Sequence, residues 1–210
     1  MFNFNPADLL FRLPAVVISL TVHEFFHAYS AYLLGDSTAR NLGRLTLNPA
    51  RHLDPIGFIC LTFFRFGWAK PVPVNPYNFR SLDVKTGMML TALAGPASNI
   101  LLCFLSVGIW SFLNASRMSP SSWLAGFLLY MCFINASLAF FNLIPVPPLD
   151  GSKILFGVLP DRLYDIAQSM EQFGFVLLMV VIMSRIPELI IGPLSTGLIN
   201  GFARFYGLFL

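Results

Sequence analysis

Long apolar runs separated by short polar breaks dominate this chain, and their lengths predict its elements. Runs of about 20 residues, enough to cross a bilayer as helix, occupy roughly 10–33, 88–113 and 123–143. A weaker pair covers roughly 170–186 and 189–208, split by Arg185-Ile-Pro-Glu188. Proline removes a helical hydrogen bond and the two charges seek water, so that tetrapeptide reads as a tight turn at a membrane surface. The pattern predicts an all-α polytopic membrane protein. About five transmembrane helices surround a core of the first three, and residues 1–210 form one integral-membrane domain.

Between the first two spans the pattern changes. Residues 35–87 carry Asn48-Pro49, Asp54-Pro55, Pro71, Pro73 and Asn75-Pro76, all turn formers. Inside this segment Ile56-Gly-Phe-Ile-Cys-Leu-Thr-Phe-Phe64 is apolar but too short to cross. It reads as a short re-entrant or β-like hairpin, its Phe, Ile and Thr favouring extended structure. Pro71-Val-Pro-Val-Asn75 reads as an edge-like strand.

Composition supports a membrane setting. Hydrophobic residues make up 56% of the chain and charged ones 11%, against about 25% charged in soluble domains. The net charge of +3 is scattered and small, which argues against nucleic acid as a partner. Cys60, Cys103 and Cys132 show no metal-binding spacing and read as small buried hydrophobes. The N-terminus lacks a basic n-region and a cleavage site, so the first apolar run is expected to stay as a helix. Asn114-Ala-Ser116 and Asn135-Ala-Ser137 match a glycosylation pattern by chance, the second lying inside a span.

One span carries chemistry. His23-Glu24-Phe25-Phe26-His27 sits within the first apolar run, where a charged group costs about 2.5 kcal/mol or more at mid-membrane. On a helix the two histidines, four apart, share a face, and Glu24 lies along its edge. This is H-E-x-x-H: two zinc ligands and a carboxylate able to take a proton from an attacking water. A catalytic zinc typically has three protein ligands and an open position. Asn142-Leu-Ile-Pro145-Val-Pro147-Pro148-Leu149-Asp150-Gly151 can supply the third. Its three prolines forbid regular helix, and its freed backbone must line protein or a water-filled cavity. Asp150 is the candidate, and Gly151 permits a sharp turn beside it.

Topology links the two halves. If the three core spans alternate in direction, loops 35–87 and 144–169 share a side, which carries Arg40, Arg44, Arg51, Arg65, Lys70, Arg80, Lys85, Lys153 and Arg162. The positive-inside rule makes that side cytoplasmic and the N-terminus external. His27 then lies roughly 10 Å below the cytoplasmic surface, on the same side as Asp150. The expected location is a cell membrane, crossed several times.

These residues carry a resemblance. H-E-x-x-H followed by Asn142-x-x-Pro145-x-x-x-Leu149-Asp150-Gly151 resembles the site-2 protease family of intramembrane zinc metalloproteases, peptidase family M50. Gly35-Asp36, Gly43-Arg44-Leu-Thr-Leu-Asn48-Pro49, His52-Leu-Asp54-Pro55, Ala69-Lys-Pro-Val-Pro-Val-Asn75 and Ala94-Gly95-Pro96-Ala-Ser-Asn99 resemble its compact branch, which lacks PDZ and CBS domains. The resemblance implies a three-helix catalytic core with one Zn2+ held by His23, His27 and Asp150. It also implies Glu24 as general base and Asn142 as oxyanion partner; the alternative for Asn142 is an amide capping freed backbone groups. Substrate-binding or gating roles are open for His52, Pro71, Val72, Pro73 and Asn99. Gly95-Pro96 is expected to kink its helix or to allow close packing. Lys153 reads either as a helix-start residue or as a charge beside Asp150.

The function expected is hydrolysis of peptide bonds in or near transmembrane segments. Its partners are a transmembrane protein or peptide substrate, the lipid bilayer and, as an open alternative, a second copy of the chain. A catalytically silent helix-binding relative and a metal transporter are the competing classes. Intact Glu24 argues against the first, and the lack of internal repeats against the second.

Overall fold

The computed structural model describes residues 6–64, 67–80, 82–117, 122–160, 169–184 and 186–209. Helix α1 spans Pro6–Leu33 and α2 spans Thr38–Asn41; α3 spans Pro55–Phe64 and α4 spans Val84–Ala115. Ser122–Asn142 forms α5 and Asp150–Val158 forms α6, with Gly174–Met183 as α7 and Ile186–Gly207 as α8. Among the described residues the all-α expectation holds, and the one β feature is a bridge between Leu53 and Ala69.

Among the described residues three helices, α1, α4 and α5, are long and apolar enough to cross a membrane. They are the three spans expected to form the core. Helix α7 has 10 residues, about 15 Å of helix, so it covers half of a hydrocarbon core of about 30 Å. The break expected near 185 is present, since α7 ends at Met183 and α8 begins at Ile186. Ile186, Pro187 and Glu188 belong to the first turn of α8 rather than to a surface turn, while Arg185 lies outside the described residues.

The helices pack with small and polar residues inward. On α4, Ala92, Gly95, Ser98, Asn99 and Cys103 are buried, whereas Leu93, Leu101, Leu105, Ile109 and Phe112 are exposed. In water this would be an inside-out helix. In lipid the tails are as apolar as leucine, so helices approach through small residues and turn large ones outward. Helix α4 is the centre of the arrangement, touching α1, α5, α6 and α8. The three cysteines are free, with Cys103 and Cys132 buried in the α4–α5 core and Cys60 partly exposed.

The segment joining α1 to α4 departs from its expected form. Residues 55–64 are helical, not extended. The reason is local: Asp54 Oδ1 accepts the Gly57 N–H at 2.8 Å, which caps the helix, and Pro55 occupies its first position. An apolar segment saturates its backbone groups more completely as helix than as an unpaired strand. The chain then returns beside its own start, where the Lys70 N–H donates to the His52 carbonyl at 2.7 Å. Residues 70–75 are non-helical, in keeping with Pro71 and Pro73.

Asp36 secures this loop to the end of α1. Fully buried, it accepts from the backbone N–H and hydroxyl of Thr38, the Asn75 N–H and the Asn78 amide, at 2.5–3.0 Å. Burial pushes its carboxyl upward, but those hydrogen bonds outweigh burial and hold it below the usual carboxylate range.

Candidate metal centre

Helical spacing on α1 stacks His23 and His27 on one face, and α4 packs across that face. Gly95 makes the approach possible. A Cβ there would lie 2.5 Å from His27 Nε2 and 2.7 Å from His23 Cε1. The close-packing role expected of Gly95-Pro96 is therefore against the histidines themselves, and α4 continues through Pro96.

Each ring is anchored through its Nδ1. His27 Nδ1 lies 2.7 Å from the Thr91 carbonyl, and His23 Nδ1 lies 2.6 Å from Asn99 Oδ1. A carbonyl only accepts, so His27 carries a proton on Nδ1, and as a neutral ring it turns the lone pair of Nε2 inward.

The second half arrives from the chain break after α5. Residues 143–149 form a run of turns, and α6 begins at Asp150. Gly151 is required there, because a Cβ would meet the Leu143 and Ile144 carbonyl oxygens at 2.4 Å. Asp150 Oδ2 consequently lies 3.1 Å from His23 Nε2 and 3.2 Å from His27 Nε2, and the two Nε2 atoms are 3.0 Å apart. These three residues form a group able to hold a metal ion.

The donor set fits zinc on chemical grounds. Two imidazole nitrogens and one carboxylate oxygen converge, and bonds of about 2.0–2.1 Å to a tetrahedral ion would space such atoms about 3.3 Å apart. Without a cation or an added proton, lone pairs would face one another at 3.0–3.2 Å in a buried site. The anchored Nδ1 atoms reproduce the outer hydrogen bonds that metal-bound histidines use to fix ring and tautomer.

A cavity of about 260 Å3 opens on this cluster and is lined by Glu24, Asn142, Lys153, Pro71, Val72 and Trp68 among others. Glu24 Oε2 accepts the Val72 N–H at 3.0 Å, so the non-helical run 70–75 lies against the site. Pro71 and Val72 line the cavity together with Val74, whereas Pro73 does not. Asn142 reaches the cavity, and its amide donates to the Leu138 carbonyl one turn back within α5 at 3.0 Å. Lys153 sits in the first turn of α6, as the helix-start reading expects, and also lines the cavity.

Two residues lie elsewhere than a gating role needs. His52 is fully buried outside the cavity lining, and its Nε2 donates to the Thr46 carbonyl at 2.7 Å, pinning the loop. Asn99 bonds His23 and the third core helix rather than the cavity. Arg44 is a residue whose part the sequence did not disclose. It is buried, donates to the Lys70 carbonyl at 2.6 Å, and its guanidinium, depressed by burial, is favoured in charged form by nearby Glu24. The signal available was Arg44 itself, a cation in a motif on the metal side of the chain.

A second cavity of about 500 Å3 lies between α1, α5 and α8 and adjoins the first through Gly67, Leu138 and Phe141.

The chain is similar to known proteins. The model of Peptidase family M50 matches residues 107–184. The chain is 35% identical to "Putative zinc metalloprotease YwhC" of Bacillus subtilis over 92% of its own length and 90% of that protein. It is 30% identical to "Putative zinc metalloprotease MJ0611" of Methanocaldococcus jannaschii, over 73% of each chain. With "Putative zinc metalloprotease Rip2" of Mycolicibacterium smegmatis it shares 27% identity over 80% of its length, spanning 64% of that relative. No solved structure matches the chain at a significant level.

Proposed function

Because this chain belongs to peptidase family M50, the site-2 protease family, we propose that it is an intramembrane zinc endopeptidase cutting membrane-anchored segments. The observation that carries the reading is the convergence of His23, His27 and Asp150 at one end of the helical core, with Glu24 beside them. Zinc held by those three residues would supply Lewis-acid polarisation of the scissile carbonyl and acidify a water.

The chain's own groups do the rest. Glu24 takes the proton of the attacking water and delivers it to the leaving amine. Its Oε2 is fixed by the Val72 N–H, which leaves Oε1 for that exchange. Thr91 and Asn99 hold the two imidazoles in place. Asn142 can serve the developing oxyanion only by surrendering its bond to Leu138.

A substrate helix hides its amides and must unwind to be cut. The run 70–75 is suited to receive the unwound strand by β-addition. Pro71 and Pro73 have no N–H; those of Lys70, Val72 and Asn75 are taken by His52, Glu24 and Asp36. What the run offers a guest is the Val74 N–H and the carbonyls of 71–74. In this reading the adjoining cavity beside α8 serves as the substrate's route from the bilayer flank. Basic residues concentrated in the loops on the metal side support an external N-terminus and a cleft facing the cytoplasm. Residues 1–210 act as one protease domain in this reading.

The test is cleavage of a panel of single-span substrates by purified wild type and Glu24→Gln, with zinc content measured in both. Cleavage by wild type alone, with zinc retained in the variant, supports the proposal. Substrate binding without cleavage by either would indicate a silent relative. Metal flux in vesicles without cleavage would indicate a transporter.

A further inference from the structure

The metal reading gives Asn99 a ring to hold but leaves unexplained the second buried amide behind it. Asn99 on α4 and Asn135 on α5 are both fully buried in the centre of the helical core, where unpaired polar groups are costly. Neither lines the catalytic cavity.

Their hydrogen bonds form a directed chain. Asn135 Nδ2 lies 2.8 Å from the Met131 carbonyl, which can only accept. That fixes the amide, so Asn135 Oδ1 faces Asn99 Nδ2 at 2.8 Å and must accept. The other Asn99 Nδ2 proton goes to the Ser19 carbonyl at 3.2 Å. Asn99 Oδ1 is thereby turned to His23 Nδ1 at 2.6 Å, and His23 must hold its proton on that nitrogen. In the neutral ring its Nε2 is then a lone pair beside Asp150 and His27.

The opposite orientation fails on the same geometry. A flipped Asn99 would set its oxygen against the Ser19 carbonyl and Asn135 Oδ1, two acceptors. It would also drive the His23 proton to Nε2, into the position a metal needs.

We propose that Asn99 and Asn135 are positioning residues, a relay by which the Met131 carbonyl of α5 fixes the tautomer of His23 and so sets metal affinity. The relay rests on the zinc reading above. It makes Asn135, two hydrogen bonds removed from His23, a determinant of zinc binding that acts only through Asn99.

The test is zinc affinity by chelator competition on the purified full chain in detergent, separate from any cleavage assay. Outer hydrogen-bond partners of metal ligands typically govern about 10–100-fold in affinity. Asn99→Leu is expected near the upper end of about 10–100-fold, and Asn135→Leu near the lower end. Added to Asn99→Leu, Asn135→Leu should weaken zinc no further. Asn135→Asp should restore near-native affinity, because a buried carboxyl stays protonated and offers the same donor to Met131 and acceptor to Asn99. Ser137→Ala, which alters a partly buried α5–α8 contact outside the relay, should leave affinity unchanged.

Equal losses from Asn135→Leu in both backgrounds would overturn the relay, as would an Asn135→Asp protein that folds yet binds as weakly as Asn135→Leu. Native zinc affinity in Asn135→Leu would do the same. A wild type that takes up no zinc would sink the metal reading and the relay with it, whereas failure of cleavage with these affinities intact would count against the protease reading alone.

Discussion

Asp36 and Asp150 are both buried carboxylates at the same end of the helical core, yet their surroundings are opposite in kind. Asp36 is met by four donors from three residues, all N–H or O–H groups. Its lone pairs are answered by protein, and its work is to hold the loop against α1. Asp150 is met by two ring nitrogens whose own protons are committed elsewhere, to Thr91 and Asn99. Among the described residues, no free N–H or O–H donor completes it. The contrast separates a structural carboxylate from one reserved for a cation: burial is shared, and the presence or absence of donors decides.

That contrast can be broken experimentally, beginning at Asp150. Asp150→Ala should abolish zinc uptake and cleavage, and chelation of the wild type should do the same reversibly, restored by added zinc. Glu24→Gln should keep the metal and lower the cleavage rate by about 10²–10⁴-fold. Asp36→Ala should reverse the profile, keeping zinc while losing stability. Each orphaned buried donor costs about 1–3 kcal/mol, read from unfolding in mixed detergent.

Acid sharpens the same distinction. Because the Asp36 carboxyl is held below its ordinary value in the folded chain, its contribution is complete above the unfolded pKa of about 3.9. It is lost as pH falls through the lower folded value. An unfolding series between neutral pH and that acid limit should show a loss in wild type that Asp36→Asn lacks; parallel curves would remove Asp36 from the account. The smallest effect belongs to Asp54→Ala, which removes the cap of α3 and should cost about 1 kcal/mol, read from helix content and thermal unfolding.

What the sequence disclosed follows from how local each interaction is. His23, Glu24 and His27 are set by helical spacing alone, so their common face was legible. Asp150 required an argument about membrane sides, and the converging distances agree with it. The helix at 55–64 was misread because Phe, Ile and Thr favour strand, although Asp54-Pro55 already spelled a cap and a first turn. The bond from Asn99 to His23 spans 76 positions, and no periodicity encodes which of several buried amides will meet a ring. Likewise the partner of the Asn142 amide depends on a rotamer, which spacing does not specify.

Gly95 contributes no functional group, yet the centre depends on the atom it lacks. A methyl there would press on both imidazoles together. The protein could thus keep every ligand, the base and the whole second half of the motif and still lose its alignment. Inactivation at this centre needs no subtraction: it can be achieved by adding one carbon on a neighbouring helix, at a position that a survey of reactive side chains would pass over.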